Sequence, residues 1–139
     1  MTPNQIVEQM FCKDGFSQWL GISVDQVSEG TAELSMMVRE DMLNGFGVAH
    51  GGITYSLADS ALAFASNAQG KHAVSIETSI SHTKAVMAGD RLTAVAKEDN
   101  LSSRLGIYSI EVTNQNQQVV ALFKGTVFRK DNNWTTTQK

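Results

Sequence analysis

Asp59 is the only Asp, Glu, Lys or Arg in the run Leu43 to Gly70, LNGFGVAHGGITYSLADSALAFASNAQG, and it follows a His-Gly-Gly at His50 to Gly52. Glycines at a helix start leave backbone N–H groups unpaired and unshielded by side chains, and the helix dipole favours negative charge there. Gly51 and Gly52 are therefore a candidate oxyanion hole. A carbonyl held by the Gly51 N–H gains most as its oxygen becomes an anion, and losing one such donor costs roughly 3 kcal/mol. Asp59 would attack the carbonyl carbon itself or deprotonate a water that does, and the sequence leaves both open. The alternative for Asp59 is a buried acid satisfied by the hydroxyls of Ser56 and Ser60. For the glycines the alternative is a tight turn, which is compatible with anion binding.

Asp59 lies eight positions after Gly51, about 12 Å along a helix at about 1.5 Å per residue. The two cannot flank one carbonyl. If both serve one reaction, the aspartate comes from a second chain whose helix runs antiparallel alongside, and a two-fold dimer supplies that twice.

The elements that must place these residues read as follows. Thr2 and Pro3 are a cap and first-turn pair, and Ile6, Val7, Met10 and Phe11 fall at helical spacing, so a short helix covers about 2–12. FSQWL forms a second brief turn ending at Gly21. Ile22 to Val27 pairs across a Glu29-Gly30 turn with residues 31–38, whose Ala32, Leu34, Met36 and Val38 share one face. After a loop from Arg39 to Ala49, a helix runs from about Gly51 to Gln69, stopped by Gly70. Its apolar residues are not confined to one stripe, so it should be buried. Four strands follow, about 73–84, 91–98, 104–113 and 119–129, with MAGD and NQNQQ as turns. The polar tail, about 130–139, reads as frayed. The order is α+β, and one apolar helix is covered most economically by a strongly curved antiparallel sheet, with one side left open for a partner subunit.

Composition narrows the function classes. With 139 residues, 42% hydrophobic and 18% charged, the chain fits a single domain over 1–139 with one core. No apolar run approaches the roughly 18 residues of a membrane span, and the N-terminus has no secretory pattern, so the expectation is a cytoplasmic protein without a membrane partner. A formal charge of -3 with scattered cations gives no basis for nucleic-acid binding. The lone Cys12 reads as a small buried hydrophobe. His72 and His82 lack ligand spacing and read as structural or surface histidines, so no metal is implied. Ser75, Ser79, Ser81 and Thr83 alternate with Val74, Ile76, Ile80 and His82 and would line a cleft or face solvent.

The spaced set Asn44-Gly45, His50-Gly51-Gly52 and Asp59, together with MAGDRLTA and VVALFKG, closely resembles the hotdog-fold acyl-CoA thioesterases of the phenylacetic acid degradation (PaaI) type. The likeness runs from about Leu20 to Arg129. It implies the hotdog fold, a curved antiparallel sheet wrapped around one long helix, and hydrolysis of a small aromatic acyl-CoA, phenylacetyl or hydroxyphenylacetyl in type. Hydroxybenzoyl- or medium-chain acyl-CoA is the nearest alternative, and a non-catalytic acyl-CoA-binding module the alternative from another class. Coenzyme A enters only as part of the substrate, with no bound cofactor. The resemblance further implies a homodimer with shared active sites, paired into a homotetramer. Asp59 and Gly51 take the roles given above. His50 matches the family's histidine and would donate a hydrogen bond that shapes the glycine turn or polarises the carbonyl. Asn44 matches its asparagine and would hold the attacking water or orient the carboxylate, although Asn44-Gly45 alone reads as a turn. Lys84, Arg104, Lys124 and Arg129 are cations that could meet coenzyme A phosphates. Ala85 stands where the family often has proline.

Overall fold

The computed structural model describes residues 1–136. Thr2 caps helix α1 (Pro3–Phe11) through a capping box with Gln5, and α1 buries Ile6 and Val7. A second short helix, α2 (Gly15–Trp19), starts at Asp14, whose side chain accepts from the Ser17 N–H. The strands are β1 (Ser23–Ser28), β2 (Thr31–Met37), β3 (Lys71–His82), β4 (Arg91–Leu101), β5 (Leu105–Thr113) and β6 (Val119–Asn133), and α3 (Gly51–Asn67) lies between β2 and β3 in the chain.

All six strands form one sheet in the order β1-β2-β4-β5-β6-β3, every neighbouring pair antiparallel. Alternation puts Ala32, Leu34, Met36, Leu92, Ala94, Ala96, Tyr108, Ile110 and Val112 on the inner face, where they bury Leu57, Ala58, Ala61, Leu62 and Ala65 of α3. The Tyr108 hydroxyl donates to Glu98 (2.7 Å), which also accepts from Gln69 just after α3 (2.9 Å). Burial of this phenol, with its hydrogen bond to Glu98, pushes its pKa upward.

Gly125 of β6 sets how near the helix can come. A Cβ there would stand 2.5 Å from Leu62 Cδ2. Gly125→Ala therefore overpacks the core and should cost about 1–3 kcal/mol, read as a lower urea midpoint with an unchanged slope.

Two expectations are corrected. The tail from residue 130 is not frayed at its start, because β6 continues through Asn133, paired with Lys71. Trp134 then gives its backbone N–H to Gly70 O and its indole N–H to Asn67 Oδ1, both 2.9 Å, and its ring stacks on His72. An indole with an acceptor in reach anchors a polar segment. Residues 137–139 of that tail lie outside the described residues. Cys12 is exposed rather than buried, since it occupies the C-cap of α1 where the chain turns toward α2, and its thiol donates to Gln9 O.

Candidate active site

Asn44 builds the approach to α3. Its N–H donates to Val48 O (2.7 Å), its carbonyl accepts from Gly47 N–H (3.0 Å), and its Oδ1 accepts from the N–H groups of Phe46 (2.9 Å) and Val48 (3.4 Å). This is the turn role. Ala49 N–H to Val86 O and His50 N–H to Met42 O, both 2.8 Å, then fix the chain entering the helix.

His50 is the N-cap of α3. Its Nδ1 accepts from the Gly52 N–H at 2.9 Å, and its carbonyl accepts from the Ile53 N–H at 2.9 Å. The expectation that His50 donates into the glycine turn is thus reversed at this nitrogen: the ring shapes the turn as an acceptor, which requires Nδ1 to be unprotonated. Gly51, in the first helical position, keeps an N–H with no partner among the described residues. It lines a cleft with Ala49, Thr54, His82, Lys84 and Val86.

Asp59 sits eight residues further along α3 and is half-buried. Gly52, Ser56, Asp59 and Ala63 follow one another at intervals of four, three and four, and all four escape full burial, whereas eleven other residues of α3 are buried. They form the open stripe of the helix. Neither neighbouring hydroxyl is spent on the carboxylate: Ser56 donates to Gly52 O (2.6 Å) and Ser60 bonds Ser17 (2.8 Å). Asp59 has no hydrogen-bond partner among the described residues. Burial, and secondarily the charge of Asp14, raise its pKa above the ordinary carboxylate value. Asp14 is held to this place by Ser17, whose hydroxyl bonds both Asp14 (2.6 Å) and Ser60. Around Asp59 lies a pocket lined by Met10, Leu62, Ser66, Val74 and Val127.

Within one chain the glycine turn and Asp59 face two separate cavities with no residue in common, as the helical spacing requires. What the sequence did not reveal is that His82, the last residue of β3, lies against Gly51. A Cβ on Gly51 would meet the His82 Nε2 at 3.3 Å. The signal available was weak: His82 ends a run of alternating residues, but periodicity does not say which helix terminus a strand end reaches. Of the four cations considered, Arg104 pairs with Asp131 (2.7 Å) and Arg129 donates to Ser102 O (2.6 Å), Lys124 lies in an outer groove of the sheet, and Lys84 lines the cleft at Gly51. No group of three or more His, Cys, Asp or Glu able to hold a metal occurs among the described residues, and no helix there is long and apolar enough to cross a membrane.

A family model described as the thioesterase superfamily matches residues 46–121, which spans both the glycine turn and Asp59. The acyl-coenzyme A thioesterase PaaI of Escherichia coli is 41% identical over 125 residues, covering 90% of this chain and 89% of that one. A putative esterase of Archaeoglobus fulgidus is 40% identical over 133 residues, covering 96% and 86%. The solved structure of the E. coli PaaI protein from the phenylacetic acid degradation operon superposes with a TM-score of 0.93 at 39% identity, covering 96% of each chain. With the helix wrapped by its sheet and the free amide at its N-terminus already in place, the chain belongs to the thioesterase superfamily and has the hotdog fold.

Proposed function

We propose that this thioester hydrolase acts on the coenzyme A ester of a small aromatic acid, phenylacetyl or hydroxyphenylacetyl in type, giving free acid and coenzyme A. The observation that carries the reading is the pairing of an unspent N–H on Gly51 with an unspent, pKa-raised carboxylate on Asp59. The Gly51 N–H holds the thioester oxygen. Asp59 takes a proton from water as the water oxygen bonds to the carbonyl carbon. The C–S bond then breaks, and the thiolate of coenzyme A recovers the proton from Asp59. A carboxyl with a raised pKa is a better base for this step than an ordinary one. The apolar walls beside Asp59, Met10, Leu62, Val74 and Val127, suit an aryl ring, and Lys84 beside Gly51 suits the phosphates of the carrier. Similarity to the E. coli acyl-coenzyme A thioesterase PaaI supports the acyl-CoA assignment.

The site is shared in a homodimer, with dimers paired into a homotetramer. β3 supports this assembly: it is a twelve-residue edge strand, bonded to β6 alone, with Val74 45% and Ile76 60% exposed. Long exposed apolar edges are ordinarily covered. Phe46, 94% exposed at the tip of the Asn44 turn, and the open stripe of α3 offer further surface to the same partner. The protein works as a single domain in the cytoplasm, where its one free cysteine stays reduced.

The test is free-thiol release from phenylacetyl-, hydroxyphenylacetyl-, hydroxybenzoyl-, acetyl- and hexanoyl-CoA. Fastest release from an arylacetyl ester is the expected result. A best substrate from the hydroxybenzoyl or hexanoyl members would reassign the acyl group, and tight binding without thiol release from any member would make the protein an acyl-CoA-binding module.

A further inference from the structure

We propose that His82 is a second donor to the acyl carbonyl, completing an oxyanion hole of which the Gly51 N–H is the first member. This rests on the thioesterase reading of the same site. One donor is what the helix terminus itself can give: the Gly52 N–H is spent on His50 Nδ1 and the Ile53 N–H on the His50 carbonyl. Tetrahedral intermediates of acyl transfer are held by convergent, preorganised donors. The His82 ring edge stands over the Cα of Gly51, with Nε2 3.3 Å and Cε1 3.5 Å from where a Cβ would be. Both groups line the one cleft.

The backbone that carries the ring is fixed where a catalytic donor should be, on a strand. The backbone of His82 pairs with Ala121 of β6, and the next residue, Thr83, is tied by its N–H to Val120 O and by its hydroxyl to Val119 O, both 2.9 Å. Groups supported by regular elements are positioned more sharply than groups on loops. The side chain itself is exposed and engaged with nothing among the described residues. No carboxylate pairs with it, the ion pairs there being Arg39–Asp41 and Arg104–Asp131. It therefore lacks the orienting partner of a general base, and Asp59 already fills that role. What remains is donation: Nε2 carries a proton in one neutral tautomer and in the imidazolium. The absence of a side chain at position 51 serves the same purpose, since a Cβ would push the imidazole away from the amide.

The test compares wild type with His82→Phe, which keeps a ring and removes the donor, and His82→Gln, which keeps a donor. In thiol release, His82→Phe should lower kcat by about 10²-fold with KM changed by less than about threefold, and His82→Gln should recover about tenfold of that loss. The second readout needs no turnover: a coenzyme A analogue with CH2 in place of the thioester sulfur, ¹³C-labelled at the resulting ketone. Its carbonyl resonance should move downfield on binding to wild type, move clearly less with His82→Phe, and return toward the wild-type position with His82→Gln. Equal shifts in all three proteins, kcat of His82→Phe within twofold of wild type, or no binding of the ketone to wild type would each overturn the assignment. Absence of thiol release from wild type with a His82-dependent ketone shift would instead overturn the hydrolase reading and leave His82 as a carbonyl donor.

Discussion

Asp59→Asn should abolish hydrolysis and stabilise the fold at neutral pH. The first effect follows from the loss of the only carboxylate on the open stripe of α3. A general base contributes about 10²- to 10⁴-fold, so thiol release should fall by at least that range while the oligomer keeps its size. The second follows from the direction of the pKa shift. Burial, aided by Asp14, holds the folded-state pKa of Asp59 above its unfolded value. The folded chain therefore binds the proton more tightly than the unfolded one, and stability is lost as pH rises from the ordinary carboxylate value through the raised folded one. Asparagine has no charge to desolvate and escapes this loss. The thermal midpoint of Asp59→Asn should exceed that of wild type at pH 7, and the difference should shrink as pH falls toward the ordinary carboxylate range. A residue kept for packing would give the opposite pattern, normal turnover with lower stability, and that result would remove Asp59 from the mechanism. The two readouts also separate a dead site from a damaged fold, because a variant that is inactive yet more stable has not lost activity by unfolding.

The parts of this molecule written in local periodicity were legible without coordinates. The alternation of Ala32, Leu34, Met36 and Val38, the all-round apolar character of α3 and the punctuation by Gly30 and Gly70 place the strands and the helix within a few residues of where they lie. So was the separation of Gly51 from Asp59, because helical rise is a fixed length. What could not be read was contact between segments distant in the chain. β3 follows α3 directly, yet it lies at the far edge of the sheet against β6, and this placement sets His82 on Gly51. The Asp14–Ser17–Ser60 link likewise joins α2 to the residue beside Asp59, supplying a charge that no spacing rule reports. Cys12 and the segment from Lys130 to Trp134 were misjudged for a related reason. Burial of a cap side chain depends on what packs over that end of the helix, which spacing does not report: Cys12 is exposed, whereas Leu20 and Ala68, the C-caps of α2 and α3, are buried. A polar segment extends a strand when its neighbour has unpaired backbone to offer.

Mixing two inactive variants should regenerate about one quarter of wild-type activity, and this is the sharpest consequence of the proposed shared site. Gly51→Pro removes the amide donor, and α3 is built to accept it. Position 51 is the first helical residue, where proline is favoured, and the preceding His50, at φ -58 and ψ 136, already has the extended conformation that a following proline demands. The ring must displace the His82 imidazole by a few tenths of an ångström, which affects the site and not the core. In a dimer of Gly51→Pro with Asp59→Asn, one of the two sites joins the intact Gly51 of one chain to the intact Asp59 of the other, and the second site carries both lesions. Random exchange makes about half of the dimers mixed, hence the expected quarter. The reciprocal mixture sharpens the test. When a chain carrying both substitutions is exchanged with an equal amount of wild type, every site of a mixed dimer is broken if sites are shared, so activity falls to about one quarter of that of the same total of wild-type chains. If each chain held its own complete site, the wild-type half would be unaffected and about one half would remain. Recovery in the first mixture with one quarter in the second requires Gly51 and Asp59 to meet across the two-fold axis. No recovery in proven mixed dimers, with one half in the second mixture, would place both residues in a single chain's site, against the roughly 12 Å of helix between them.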